Sequence, residues 1–190
     1  MAQLKLIRTN YPLKECKIPG YKIVTHDDSM IDSWIDVCEE LTRGRYTHEQ
    51  FINRIINDPT VTPEAIMYVC DANTGTACGS ATGQIIENGT VGRLHMVAVK
   101  PEYKGKGLGR FVCTAVCEYL YSAGVSEICL YTDDFRVPAV SLYLSMGFIP
   151  HLYEDDMLER WGKLYNMLKI DDKPVYDINK NLIKINQAVN

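Results

Sequence analysis

A chain of 190 residues with 46% hydrophobic and 23% charged side chains can bury one ordinary core without metals or disulfides, and leaves little room for extensive disorder. Its formal charge of −4 opposes wrapping a nucleic-acid backbone, which needs a cationic surplus, while a local basic patch for a small phosphorylated ligand stays compatible with it. No apolar run approaches the roughly 20 residues that span a bilayer, and Met1-Ala2-Gln3-Leu4-Lys5 lacks the apolar core of a secretion signal, so a cytoplasmic protein with no membrane and no nucleic-acid partner is expected.

The seven cysteines (Cys16, Cys38, Cys70, Cys78, Cys113, Cys117 and Cys129) are odd in number and form no Cys-x-x-Cys pair. They are read as small buried thiols of a reducing compartment, with no metal site among them.

In chain order, the first twenty residues are polar, are punctuated by Pro12, Pro19 and Gly20, and read as an entry arm. Tyr21–Thr25 alternates as a short strand. From Asp28 to Thr42, Met30, Ile31, Trp34, Val37, Cys38 and Leu41 recur at helical spacing. A second helix opens on the capping box Thr47-His48-Glu49-Gln50, carries an apolar stripe of Phe51, Ile52, Ile55 and Ile56, and stops at Asp58-Pro59. Strands are expected at 66–71, 77–87 and 90–99, the last two joined by a two-residue turn on Asn88-Gly89. A helix follows over 107–122, then a strand at 127–132, and a short helix over 138–146 capped by Gly147. Residues 156–168 carry Met157, Leu158, Trp161, Leu164, Tyr165 and Leu168 at helical spacing. The expected organisation is a single domain over 1–170, with a polar tail over 171–190 that holds at most one further strand. An antiparallel meander feeding a strand–helix–strand unit is an α+β, mixed-sheet pattern.

The chemistry concentrates in Leu94–Arg110. A strand runs into a loop with glycines at 105, 107 and 109 and then directly into an amphipathic helix. Glycines let backbone N–H groups approach a phosphate, and the helix start behind them adds a partial positive charge of about half an electron. Lys104, Lys106 and Arg110 add mobile cations. The segment therefore reads as a pyrophosphate cradle. A nucleoside-triphosphate loop needs Lys-Ser/Thr after suitably spaced glycines, which is missing; the dinucleotide fingerprint Gly-x-Gly-x-x-Gly differs from the Gly-x-Gly-x-Gly found.

Lys104-Gly105-Lys106-Gly107-Leu108-Gly109 after a Val-rich strand resembles the acetyl-CoA motif Gln/Arg-x-x-Gly-x-Gly/Ala of the GNAT acetyltransferase superfamily, with Lys in the first place. Pro138–Phe148 resembles that family's Ala-x-x-Leu-Tyr-x-x-x-Gly-Phe segment. Tyr131–Pro138 looks most like the C-terminal half of mycothiol synthases. The resemblance covers roughly residues 65–150. It implies a six- or seven-stranded, mostly antiparallel sheet flanked by helices, with acetyl-CoA as cosubstrate, no metal, and a small-molecule or peptide amine as acceptor. It leaves a homodimer open. It implies further that main-chain groups of Val97, Ala98 and Val99 hold the acetyl carbonyl and pantetheine where the family's fourth and fifth strands splay apart. The amides of Gly105, Lys106, Gly107, Leu108, Gly109 and Arg110 would hold the pyrophosphate, beside Lys104. Such strand amides act as an oxyanion hole for the thioester.

A lysine-like amine is neutral only about once per thousand molecules at neutral pH, so a base is useful, and a proton donor helps the CoA thiolate leave. In the family the tyrosine of the Leu-Tyr pair often stands beside the CoA sulfur, which makes Tyr143 the acid candidate. His95 is the base candidate: alternation puts Arg93, His95, Val97 and Val99 on one strand face, an imidazole titrates near neutrality, and aralkylamine N-acetyltransferases use a histidine at a similar place. Asp133 and Asp134 at the mouth of the next strand could draw a cationic amine, or could be solvated loop carboxylates. Arg136 stands where many members carry Asn, and Tyr131 where some carry a catalytic Glu. A non-catalytic acyl-CoA sensor, and an acyltransferase with a hydroxyl or thiol acceptor, share every motif quoted.

Overall fold

The computed structural model describes residues 2–9, 12–39, 41–42, 44–171 and 174–185. It comprises two compact units, Tyr11–Ile128 and the pair of segments Met1–Asn10 and Cys129–Asn190. Among the described residues there are nine strands and five α-helices, an α+β fold in which antiparallel strand pairs predominate.

In the larger unit the strands β2 (Tyr21–Thr25), β3 (Ile66–Asp71), β4 (Ala77–Ile86) and β5 (Val91–Val99) stand in that order, each antiparallel to its neighbour. Two helices cover one face. Helix α1 (Ile31–Cys38), entered through a 3-10 turn at Asp28–Met30, buries Trp34, Ile35, Val37 and Cys38. Helix α2 (His48–Phe51) starts on the expected capping box: Thr47 Oγ1 accepts from Gln50 N–H while Gln50 Oε1 accepts from Thr47 N–H. After one turn it widens into a π-helical turn, Ile52–Ile56. Trp34 and Phe51 meet with ring centroids 4.9 Å apart and pack on Ile66, Tyr68 and Cys70 of β3. Fully burying a side chain of Phe51's size contributes about 1.5–3 kcal/mol.

Helix α3 (Leu108–Ser122) covers the other face. It lies so close that a Cβ on Gly83 would meet Val116 and Leu120 at 3.2 Å, and one on Gly92 would meet Leu120 at 3.0 Å. Those two positions are glycine because the helix occupies their side-chain space. The β4–β5 connection is longer than the two-residue turn expected. Ile86 pairs with Val91, leaving Glu87–Thr90 as the loop, with Glu87, Asn88 and Gly89 at φ of 50°, 55° and 89°.

The smaller unit holds β6 (Glu127–Thr132) from Cys129 onward, β1 (Leu4–Arg8), β7 (Ile149–His151), β8 (Pro174–Tyr176) and β9 (Leu182–Lys184), ordered β6-β1-β7-β8-β9. Strand β1 lies where an entry arm was expected, with Leu4, Leu6 and Ile7 buried. With β7 and the β8–β9 hairpin it raises the strand count above the six or seven anticipated. Helix α4 (Val137–Ser145) is closed by Gly147 at φ 86°, and Arg8 Nε donates to the Met146 carbonyl at 3.0 Å, a cation on carbonyls at a helix C-terminus. Helix α5 (Met157–Leu168) buries Met157, Arg160, Trp161, Leu164 and Tyr165 and ends on Lys169 in the left-handed region. No described helix is long and apolar enough to cross a membrane.

Candidate functional site

The cradle lies wholly in the larger unit. Lys100 N–H donates to the Cys78 carbonyl at 2.9 Å, the last tie of the chain to β4 before Pro101 opens a 3-10 turn, Pro101–Tyr103. Gly105 and Gly107 then take left-handed backbone angles, φ 79° and 80°, which side chains other than glycine adopt only with strain. A Cβ on Gly105 would meet nothing within 4 Å, so space above the loop is open, whereas one on Gly107 would approach Ile18 Cδ1 at 3.3 Å. Gly107 is the cap of α3, and no side chain bonds the helix start. The first backbone bond there is Phe111 N–H to the Gly107 carbonyl at 3.1 Å. By helix geometry the amides of Leu108 and Gly109 therefore lack an intrahelical acceptor. Gly109 belongs to the first helical turn rather than to the loop. Lys104 and Lys106 are exposed, and the Lys106 ammonium rests 4.8 Å over the Tyr103 ring. This arrangement suits a pyrophosphate: open main-chain donors at a helix start, flanked by cations.

Strand β5 reaches the cradle through a bulge. Thr82 pairs with His95 but Ser80 pairs with Ala98, so Ala81 opposes both Met96 and Val97. Met96 takes φ 49°, the local backbone irregularity that an extra residue imposes. Nothing in the identity of Met96 signals it. The bulge corrects the expected alternation. Cross-strand partners share a face, so Arg93, His95 and Ala98 lie with Gln84, Thr82 and Ser80, while Val99, opposite Gly79, lies on the other face with Val97. His95 and the two valines are therefore on opposite faces of the strand.

His95 is half-buried, and no hydrogen bond holds its ring among the described residues. Burial, and next the Arg93 charge, push its pKa down to about 4, partly offset by the Asp58 carboxylate. The near-neutral titration expected from its residue type is thus corrected. At pH 7 the ring is neutral and open to a proton, but it is a weaker base than a free imidazole.

In the smaller unit, Tyr143 sits on α4, 6% exposed, with the Phe148 ring edge-on at 6.1 Å. Its carbonyl accepts the Phe148 N–H at 3.1 Å. The two aspartates considered for amine attraction are both paired with arginine. Asp133 accepts from Arg136 Nε at 3.1 Å, and Asp134 from Arg160 Nε and Nη2 at 3.0 and 2.5 Å. The Arg160 bonds hold the Asp134 carboxyl below its ordinary value. Tyr131 is exposed on β6, edge-on to Tyr153. A group the sequence reading missed, Asp58 with Gln84, lies on the His95 face; in sequence Asp58-Pro59 showed only a helix stop.

The chain matches the model of the acetyltransferase (GNAT) family over residues 29–148. Among curated proteins it is similar to the mycothiol acetyltransferase of Thermobifida fusca, 31% identical over 108 residues, covering 53% of this chain and 33% of that protein. It is also similar to the mycothiol acetyltransferase of an Arthrobacter species, 43% identical over 58 residues, covering 30% and 18%. The chain thus spans a third or less of the length of these relatives. Among solved structures, a GCN5-related N-acetyltransferase from Sphaerobacter thermophilus superposes with TM-score 0.66 at 20% identity, over 79% of this chain and 49% of that one. A Trypanosoma brucei acetyltransferase superposes with TM-score 0.53 at 26% identity, over 67% and 92%. The family match runs from the first covering helix through the bulged strand, the glycine turn and the Leu-Tyr helix to Phe148, and with it the chain belongs to the GNAT acetyltransferase family.

Proposed function

We propose that this protein moves an acetyl group from acetyl-CoA to a primary amine by direct attack on the thioester. The observation that carries the reading is the open glycine turn, Gly105–Gly107, at the uncapped start of α3 behind a bulged strand. Main-chain N–H groups of Gly105 to Arg110, with Lys104 and Lys106, would bind the pyrophosphate of coenzyme A. Main-chain groups of Val97, Ala98 and Val99, next to the bulge, would orient the pantetheine arm and polarise the acetyl carbonyl.

In the reaction the amine nitrogen bonds to the carbonyl carbon, the C–S bond breaks, and the sulfur leaves as thiolate. The nitrogen loses a proton to a base, for which His95 is our candidate because it is neutral and its ring makes no hydrogen bond among the described residues. The thiolate gains a proton, for which Tyr143 keeps the role its family position implies. The names of the mycothiol acetyltransferases support acetyl transfer as the reaction class. Six buried cysteines and a seventh half-buried one, all unbridged, favour a reducing, cytoplasmic setting.

Incubating the protein with acetyl-CoA and a panel of amines, alcohols and thiols, while following free CoA thiol, tests the reading. Thiol release that depends on an amine is expected. Release only with a hydroxyl or thiol acceptor, or CoA binding without release in any case, contradicts it.

A further inference from the structure

A polar cluster outside the cradle lies on the sheet face that carries His95. Asp58 follows the π-helical turn Ile52–Ile56, and its segment is tied to β4 by Ile85 N–H donating to the Thr60 carbonyl at 2.8 Å. Asp58 Oδ1 accepts from Thr60 N–H at 2.9 Å and from the Thr60 hydroxyl at 2.6 Å. Asp58 Oδ2 accepts from Gln84 Nε2 at 2.9 Å, and the same nitrogen reaches Thr60 Oγ1 at 3.0 Å. Oxygen acceptors on that side fix the amide, because the reverse orientation would set its carbonyl against the carboxylate. Gln84 Oε1 therefore faces away from Asp58. It is buried with no hydrogen-bond partner among the described residues, and Gln84 is 6% exposed. Thr82 Oγ1, two residues earlier on the same face and directly across from His95, is fully buried and likewise without a partner. Buried polar oxygens are normally satisfied. Two such oxygens share a sheet face with a clamped carboxylate and with a histidine ring that makes no hydrogen bond among the described residues, a cluster rich in unused acceptor capacity.

We infer that Asp58 and Gln84, with Thr82, form the subsite that receives the acceptor as its ammonium, which releases one proton to solvent to become the attacking amine and a second to the base on bond formation, so that the enzyme selects amines that are cationic at neutral pH. An ammonium carries three N–H donors, a positive charge and no acceptor, which complements one carboxylate, one amide oxygen and the lone pairs of one hydroxyl. Arg93 stands across from Gln84 on the same face. The inference rests on the acetyl-transfer reading and narrows it to a substrate class.

The test compares phenethylamine, cationic at pH 7.5, with 4-methoxyaniline, whose amine is neutral at that pH, both with acetyl-CoA. Asp58→Asn keeps the size and removes the charge. It is expected to raise the KM ratio of phenethylamine to 4-methoxyaniline at least about tenfold, the scale of a charge-assisted bond. Gln84→Met, which leaves Asp58 in place, is expected to raise the same ratio several-fold. Using the ratio cancels any loss of folded protein. Transfer that persists with the ratio within twofold of wild type in both variants overturns the subsite while leaving acetyl transfer standing. If the wild-type protein transfers to neither of these nor to any amine of the wider panel, the parent reading falls. Calorimetric binding of phenethylamine to wild type and Asp58→Asn then decides the subsite: weaker binding by the variant supports it, and equal binding or none by wild type overturns it.

Discussion

His95 shows how far a residue's chemistry is set by its neighbours. A histidine in water titrates near 6.5. Here burial and the Arg93 guanidinium lower that to about 4, against the pull of Asp58. The sign follows directly: the proton-accepting form is present above about pH 4 and is lost as pH falls through that value. We therefore expect kcat/KM to show an acidic limb near pH 4 that disappears in His95→Gln; a limb unmoved by the substitution would remove His95 from the role of base. Tyr143 belongs to the same scale. Buried on α4 against Phe148, it can lose its hydroxyl with little change of shape. Tyr143→Phe is expected to lower the transfer rate at least about tenfold, as loss of a general acid does, with CoA affinity intact by calorimetry; an unchanged rate rejects the assignment. The sequence marked both residues by pattern, yet not the neighbours that tune them. Asp58 meets Gln84 only through folding, 26 positions apart, and a carboxylate before proline reads locally as a helix end.

Elements with a strong period were legible. The helix behind the glycine turn, the strands at 66–71 and 127–132 and the helix over Trp161 lie within about a residue of where their patterns put them, because each buries one regular stripe. Short elements without a full period were missed. Strand β1 has five residues and sits before Pro12 and Pro19, and β7 has three including a proline. The bulge at Met96 was illegible because its cause is the register between β4 and β5. Two substitutions test element-level packing. Gly83→Val forces a side chain into Val116 and Leu120, whose atoms already stand 3.2 Å from its Cβ position, and should lower unfolding free energy by about 1–3 kcal/mol in urea titration. A loss below measurement error would mean that α3 yields freely. Gly107→Val meets both a left-handed φ of 80° and Ile18 at 3.3 Å. It should weaken CoA binding about tenfold, the cost of one strained residue at the binding turn, and an unaltered affinity would contradict the role of that turn.

At the scale of the whole molecule, the larger unit carries the cradle, the bulged strand and the Asp58–Gln84 cluster, and the smaller carries Tyr143. The family match spans residues 29–148 and so draws on both. The claim beneath all of this is that unobstructed amides at the start of α3 hold phosphate. Calorimetry comparing coenzyme A with pantetheine, which lacks the pyrophosphate and nucleotide, isolates it. Coenzyme A should bind at micromolar concentration and pantetheine at least about a hundredfold more weakly, as two charge-assisted phosphate contacts require. Equal affinities, or no affinity for coenzyme A, would contradict it.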